Sequence, residues 1–205
     1  MLTTWTSAWG DFLQRHFAII GHDAPGTGEL RLNDLTGGSG RVDVLARAVN
    51  TTLFVSHGIR TDSTITIHLM GGVIPRRVRF DGSTLQGVHP DERSISGHIR
   101  SIMKRPIPPL GQWQEASTGI SHSGGSVKDT MEEWQSEGVS ICVLDSQGVG
   151  LRRQGDSSMG FVLSDHLPFT EEEDALLKGC QRVSLGSEWL QGHVCIAIVH
   201  HLLDD

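Results

Sequence analysis

The second half of the chain predicts an α/β fold, a parallel sheet with helices on its faces. Three short apolar runs, at residues 139–144 (VSICVL), 161–163 (FVL) and 182–185 (RVSL), read as strands, and helix-patterned segments accompany them. Strand, crossover helix and strand repeated at this spacing make a parallel sheet, because parallel neighbours cannot be joined by a tight turn. The first half supplies an amphipathic helix between two further strand-like runs.

In chain order, residues 16–22 (HFAIIGH) are an apolar run ended by Asp23, Pro25 and Gly26, which reads as a buried strand opening into a long loop. From Arg41 the positions Val42, Leu45, Ala46, Val49 and Leu53 recur at three and four residues, the stripe of an amphipathic helix, with Arg41, Asp43 and Arg47 outside it. Gly37, Gly38 and Gly40 surround Ser39 just before it. Such a turn either holds a phosphate on its N–H groups or simply caps the helix. Residues 64–69 (TITIHL) and 76–80 (RRVRF) alternate as a pair of strands. Residues 91–104 read as a helix, acidic in its first turn and basic in its last, ended by Pro106, Pro108 and Pro109. The stretch from about 105 to 125 is irregular and reads as an insertion or lid. Next come a helix over 126–135, the buried strand at 139–144, the strand at 161–163 and a helix opened by a Thr170/Glu173 capping box. The strand at 182–185 and a closing helix over 189–203 complete the chain, residues 1–205 forming one expected domain.

At 205 residues, 37% hydrophobic and 20% charged, the chain can bury one core and is not disordered as a whole. No apolar run reaches the roughly 18 residues that span a bilayer. The N-terminal segment lacks a basic stretch followed by an apolar one, so the expected location is cytoplasmic. Cys142, Cys180 and Cys195 lie far apart and read as reduced thiols. A net charge of −7 argues against indiscriminate coating of nucleic acid. The charge is uneven, however: residues 76–105 carry a local +4 and residues 165–205 a local −6, so a polyanion could dock only on the middle segment, with an ordinary mixed surface as the equal alternative.

Most familiar chemistry is excluded. The eleven histidines include no HxxxH with a third ligand, and the adjacent His200 and His201 would point about 100 degrees apart on a helix, so no metal is expected. GDSSMG (155–160) lacks the second consecutive glycine of a serine-protease signature, and GxSxG, GxxxxGK[ST] and a GxGxxG turn between strand and helix are absent. SHGIRTD (56–62) is more promising: Arg60 could hold a phosphate or a planar base and Asp62 could accept a proton, with a structural ion pair as the plainer alternative. The segments 161–169 and 183–190 each place a small residue after a buried strand. Ligands of open parallel sheets bind beyond the carboxyl ends of strands, so these loops and residues 144–148 make one candidate pocket.

Four ordered motifs carry a resemblance: LNDLTGGSGRVDVLARAVNTTLFVSHGIRTD (32–62), PDERS (90–94), FVLSDHLPFTEEE (161–173) and VSLGSEWLQGHVCIAIVHHLLD (183–204). Together they resemble the TrmY family of the SPOUT methyltransferases, whose archaeal members methylate N1 of pseudouridine in the tRNA TΨC loop. The resemblance implies a SPOUT-type parallel sheet flanked by helices, with a C-terminal deep trefoil knot, and a homodimer whose active site spans the subunit interface. It implies S-adenosylmethionine bound by Leu144, Leu163, Ser164, Leu185, Gly186, Ser187, Glu188, Trp189, Leu190 and Cys195, with Cys195 lining the pocket and not acting as a nucleophile. Ser164 and Ser187 stand where related members often carry glycine and proline. The implied acceptor is tRNA or another structured RNA, with no DNA or membrane partner. Asp62 and Arg60 are then the catalytic candidates, and Arg41, Arg60, Arg76, Arg77 and Arg93 the candidate RNA contacts. A non-catalytic RNA- or protein-binding dimer, or a methyltransferase of this fold with a different acceptor, are the alternatives.

Overall fold

Residues Phe17, Ala18, Ile19 and Ile20 are completely buried, so the strand that carries them is covered on both faces. This strand, β1 (Arg15–Pro25), lies inside an eight-stranded sheet. The structure, a computed structural model, describes residues 14–152 and 157–204. Residues 1–13, on which the expectation about a leader rested, and the beginning of GDSSMG lie outside the described residues.

After β1 come α1 (Val42–Leu53), a small hairpin of β2 (Phe54–Val55) and β3 (Gly58–Ile59), then β4 (Ser63–Gly71), β5 (Arg76–Asp81) and α2 (Glu92–Met103). The chain continues with β6 (Gln114–Ser117), β7 (Ile120–Gly124), α3 (Val127–Ser136), β8 (Ser140–Gly150), β9 (Met159–Ser164), α4 (Glu171–Leu177), β10 (Gln181–Ser184) and α5 (Gly192–Asp204). The sheet order is β10-β8-β9-β1-β4-β5-β7-β6. The first five strands of that order run parallel, and β5, β7 and β6 extend the sheet antiparallel.

Because successive strand residues face opposite ways, each strand feeds two cores. Phe17, Ile19, Ile65, Ile67 and Phe161 pack under α1, α2 and α5, while Ala18, Ile20, Val143 and Val162 pack under α3 and α4. Cys142 and Val143 go to opposite faces, so the expected doubly buried strand is present. The turn before α1 is forced. Gly40 has φ 61, and a Cβ there would sit 2.0 Å from the Asp23 carbonyl oxygen. Asp34 fills the preceding turn by accepting from Gly37 N–H and Gly38 N–H, both at 2.9 Å, so these amides do not await a phosphate.

Three expectations need correction. The segment near 105–125 is not a lid, because β6 and β7 pair within it and continue the sheet. The closing helix begins at Gly192, leaving Trp189 in a loop and 83% exposed. Arg76 and Arg77 are not RNA contacts in this fold: both are 0% exposed. Arg76 donates to the carbonyls of Ile102 and Arg105, and Arg77 to Gly124 O and Thr130 Oγ1 while pairing with Glu133 at 2.9 Å. The strand-pairing pattern sends these neighbours to opposite faces, and both faces are covered.

Candidate functional site

A cavity of about 920 Å³ opens at the carboxyl ends of β8, β9 and β10, where an open parallel sheet places ligands. Its wall has three loops. The first comes from an irregularity in β8: Arg182 pairs with Val143 but Val183 with Val149, so residues 144–148 are pushed out of the ladder. The second follows β9 at Ser164, and the third is the stretch between β10 and α5. Leu144, Leu163, Ser164, Leu185, Gly186, Glu188, Trp189, Leu190 and Cys195 all line the cavity; of the residues expected to hold the donor, Ser187 does not.

The loops are tied to one another. Ser184 Oγ lies 3.2 Å from Ser146 O and 2.9 Å from Gly186 O, and it accepts from Gly186 N–H at 3.1 Å. Gly186 holds φ 136, a conformation that favours glycine and leaves its backbone bare toward the cavity. Arg182 bridges the first loop to α4 by pairing with Asp145 and, at 2.8 Å, with Asp174. The Gln147 N–H and then Arg182 hold the Asp145 carboxyl below its ordinary range. Burial raises the Cys195 thiol despite a backbone hydrogen bond that lowers it, so a nucleophilic thiolate is disfavoured. Leucines for an adenine face and bare backbone at Gly186 suit a nucleoside, and the charged lining is mixed, with Arg182 paired to Asp145 and Asp174 while Glu188 also lines the cavity. Among the described residues no His/Cys/Asp/Glu group is arranged to hold a metal.

Arg60 and Asp62 lie elsewhere. Asp62 immediately precedes β4, at the opposite end of the parallel strands, which at about 3.3 Å per residue is roughly 20 Å from the cavity in the same chain. Arg60 does not pair with Asp62. It binds both carboxylate oxygens of Asp204 on α5 at 2.9 and 2.7 Å. Asp204 is shared with Arg15, whose Nε lies 3.6 Å from Asp62. His200 completes the cluster: its Nε2 lies 3.1 Å from Thr52 O and its Nδ1 3.1 Å from an Arg15 nitrogen, so the neutral ring donates at Nε2 and accepts at Nδ1. Burial, then Arg60 and Arg15, lower the pKa of His200 to about 4.

Of the other arginines, Arg93 is exposed on α2, in a shallow groove with Asp91, Ser94 and His98. Arg41 borders the cavity and is paired with Asp43 at 2.9 Å. Sequence reasoning placed Asp145 and Asp165 within the pocket loops without giving either a role, and it missed Asp174, Arg47 and Arg182 as cavity residues.

A family model described as "Putative SAM-dependent RNA methyltransferase" matches residues 14–205. The chain belongs to this family. The tRNA (pseudouridine(54)-N(1))-methyltransferase of Haloferax volcanii is 38% identical over 193 residues, covering 93% of this chain and 96% of that protein. The enzyme of the same name from Haloarcula marismortui is 39% identical over 196 residues, again covering 93% and 96%. The fold matches the structure of Archaeoglobus fulgidus Nep1 bound to S-adenosylhomocysteine, with a TM-score of 0.64 at 12% identity, over 94% of this chain and 100% of that one. The family is the one the four motifs resemble.

Proposed function

We propose that this methyltransferase moves a methyl group from S-adenosylmethionine to N1 of a pseudouridine in tRNA. The observation that carries the reading is the convergence of three strand-end loops on one cavity in a chain of this family. The relatives' names supply the acceptor. When bound, the donor provides an electrophilic methyl on a sulfonium. The chain's own work is to align the acceptor nitrogen with that methyl and to take the N1 proton as the nitrogen–carbon bond forms and the carbon–sulfur bond breaks. Asp62, 28% exposed at its side chain, is the proposed proton acceptor, and Arg60 the group that steadies the neighbouring phosphate.

Asp62 and the cavity lie at opposite ends of the sheet, so the reading requires two copies. A homodimer whose two-fold axis crosses α5 near its middle brings the Arg60/Asp62 end of one protomer to the cavity of the other. Exposed apolar groups support that surface: Leu202 is 42% and Val55 48% exposed, and Ala197 is exposed between His193 and His201. The reading further takes the chain as a single SPOUT domain, cytoplasmic, with its last segment threaded as a deep trefoil knot. No helix among the described residues is long and apolar enough to cross a membrane.

The test is methyl transfer from labelled S-adenosylmethionine to a tRNA T-arm carrying pseudouridine or uridine at the same position. Label on N1 of pseudouridine and none on uridine is expected. RNA binding without incorporation would overturn the reading in favour of a non-catalytic dimer.

A further inference from the structure

Two residues of the FVLSDHLPFTEEE motif, Asp165 at the cavity wall and Glu173 on α4, converge on one histidine in the last part of β1, His22. His22 Nδ1 lies 3.0 Å from Asp165 Oδ1, and its Nε2 lies 2.9 Å from Glu173 Oε2. The His22 backbone N–H also donates to Asp165, at 3.0 Å. A neutral imidazole has one donor and one acceptor, so one of these contacts would set a lone pair against a carboxylate oxygen. With both ring nitrogens protonated, both contacts become charge-assisted hydrogen bonds.

The two carboxylates organise the cavity wall. Asp165, 1% exposed at its side chain, accepts from Leu167 N–H at 2.9 Å, which folds the loop after β9 back on itself. Glu173 accepts from Thr170 N–H at 2.8 Å and so fixes the start of α4, where the next residue, Asp174, lines the cavity and holds Arg182. We infer that His22, as a doubly protonated imidazole joining Asp165 to Glu173, is a positioning residue that holds the donor-binding loop of residues 164–169 in its binding shape. This rests on the cavity being the donor site.

Other charges face the cluster. His166 Nδ1 lies 3.4 Å from Asp165 Oδ2 and its Nε2 lies 3.7 Å from Asp23, while Arg41 from the turn before α1 acts on Asp165 through space. Burial of His22 disfavours its charge, but the hydrogen bonds its ring donates to Glu173 and Asp165 outweigh it and the His22 pKa is raised. The clamp's contribution is therefore present below the unfolded histidine value near 6.5 and is lost as pH rises through the raised folded value.

The experiment measures S-adenosylhomocysteine affinity by calorimetry from pH 6 to 8.5 for wild type, His22→Gln and His22→Arg, with ¹⁵N NMR of the His22 ring in the wild-type protein. Wild-type affinity is expected to weaken as His22 deprotonates. His22→Gln should bind about tenfold more weakly at pH 6.5 and lose that part of the pH slope, because a glutamine cannot donate to both carboxylates. His22→Arg, a permanent cation with several donors, should restore part of the affinity without the slope. A neutral His22 ring at pH 6, or His22→Gln binding with the wild-type affinity and slope, overturns the inference. If His22→Gln does not fold, the wild-type ring spectrum and pH slope decide. Wild-type protein that binds no S-adenosylhomocysteine overturns the donor-site reading as well, which separates the two failures.

Discussion

Asp62 is surrounded by groups that have other tasks. Ser63 Oγ donates to it at 3.0 Å and Arg15 lies at 3.6 Å, but the arginine's terminal nitrogens are committed to α5. Such a carboxylate keeps lone pairs for an incoming N–H. Replacing Asp62 by Asn should lower kcat at least about 100-fold while leaving S-adenosylhomocysteine affinity unchanged, as read by single-turnover kinetics and calorimetry. Asp204 is different in kind. Arg60, then Arg15, hold its carboxyl well below the ordinary range, so its contribution to stability is present above the unfolded value near 4 and fades only in strong acid. Asp204→Ala should cost about 1 kcal/mol in urea unfolding at pH 7 and free the end of α5. At this scale the sequence was readable by residue type but not by partner. Arg60 and Asp62 sit two residues apart, yet Arg60 pairs with Asp204, a residue 144 positions away.

Among the elements, the helices and the central strands were legible because each carries its own period. The α1 stripe and the Thr170/Glu173 capping box appear as the sequence implies, with Thr170 Oγ1 accepting from Glu173 N–H at 3.2 Å. The β6–β7 hairpin was not, because its sequence, QEAS and ISHSG, is polar and has little alternation. It becomes a strand pair because β5 offers a ladder and because Arg77 and Arg105 donate to the carbonyls of Gly124 and Ala116. Those donors belong to other elements, so local pattern could not reveal them. Backbone geometry yields a prediction at this scale. Gly40→Ala puts a methyl into the Asp23 carbonyl and should cost more than about 2 kcal/mol, whereas Gly87→Ala, at φ 72 with nothing within 4 Å, should cost only about 1 kcal/mol. Paired chemical-denaturation curves distinguish these costs.

The molecule as a whole stores histidines that resist protonation. Burial lowers His16, His122 and His200 to about 4 and His68 to about 3, with nearby arginines adding to each shift. The unfolded chain binds protons on these rings near pH 6.5, and the folded chain does not until near pH 4. Folding therefore loses stability as pH falls through that interval, by up to about 1.4 kcal/mol per pH unit for each ring. Melting temperature should drop steeply between pH 6.5 and 4, and His200→Gln should flatten the slope. The sheet that buries these rings also separates Asp62 from the cavity, so the proposed catalysis, with Asp62 as base, requires two chains. Mixed dimers test that claim most directly. Asp62→Asn, with an intact cavity, and Gly186→Val, with a distorted donor loop, should each be inactive alone; reassembled together they should regain about a quarter of the wild-type methyl transfer, since half the dimers are mixed and each has one complete site. A mixture that stays as inactive as its parents would contradict the account.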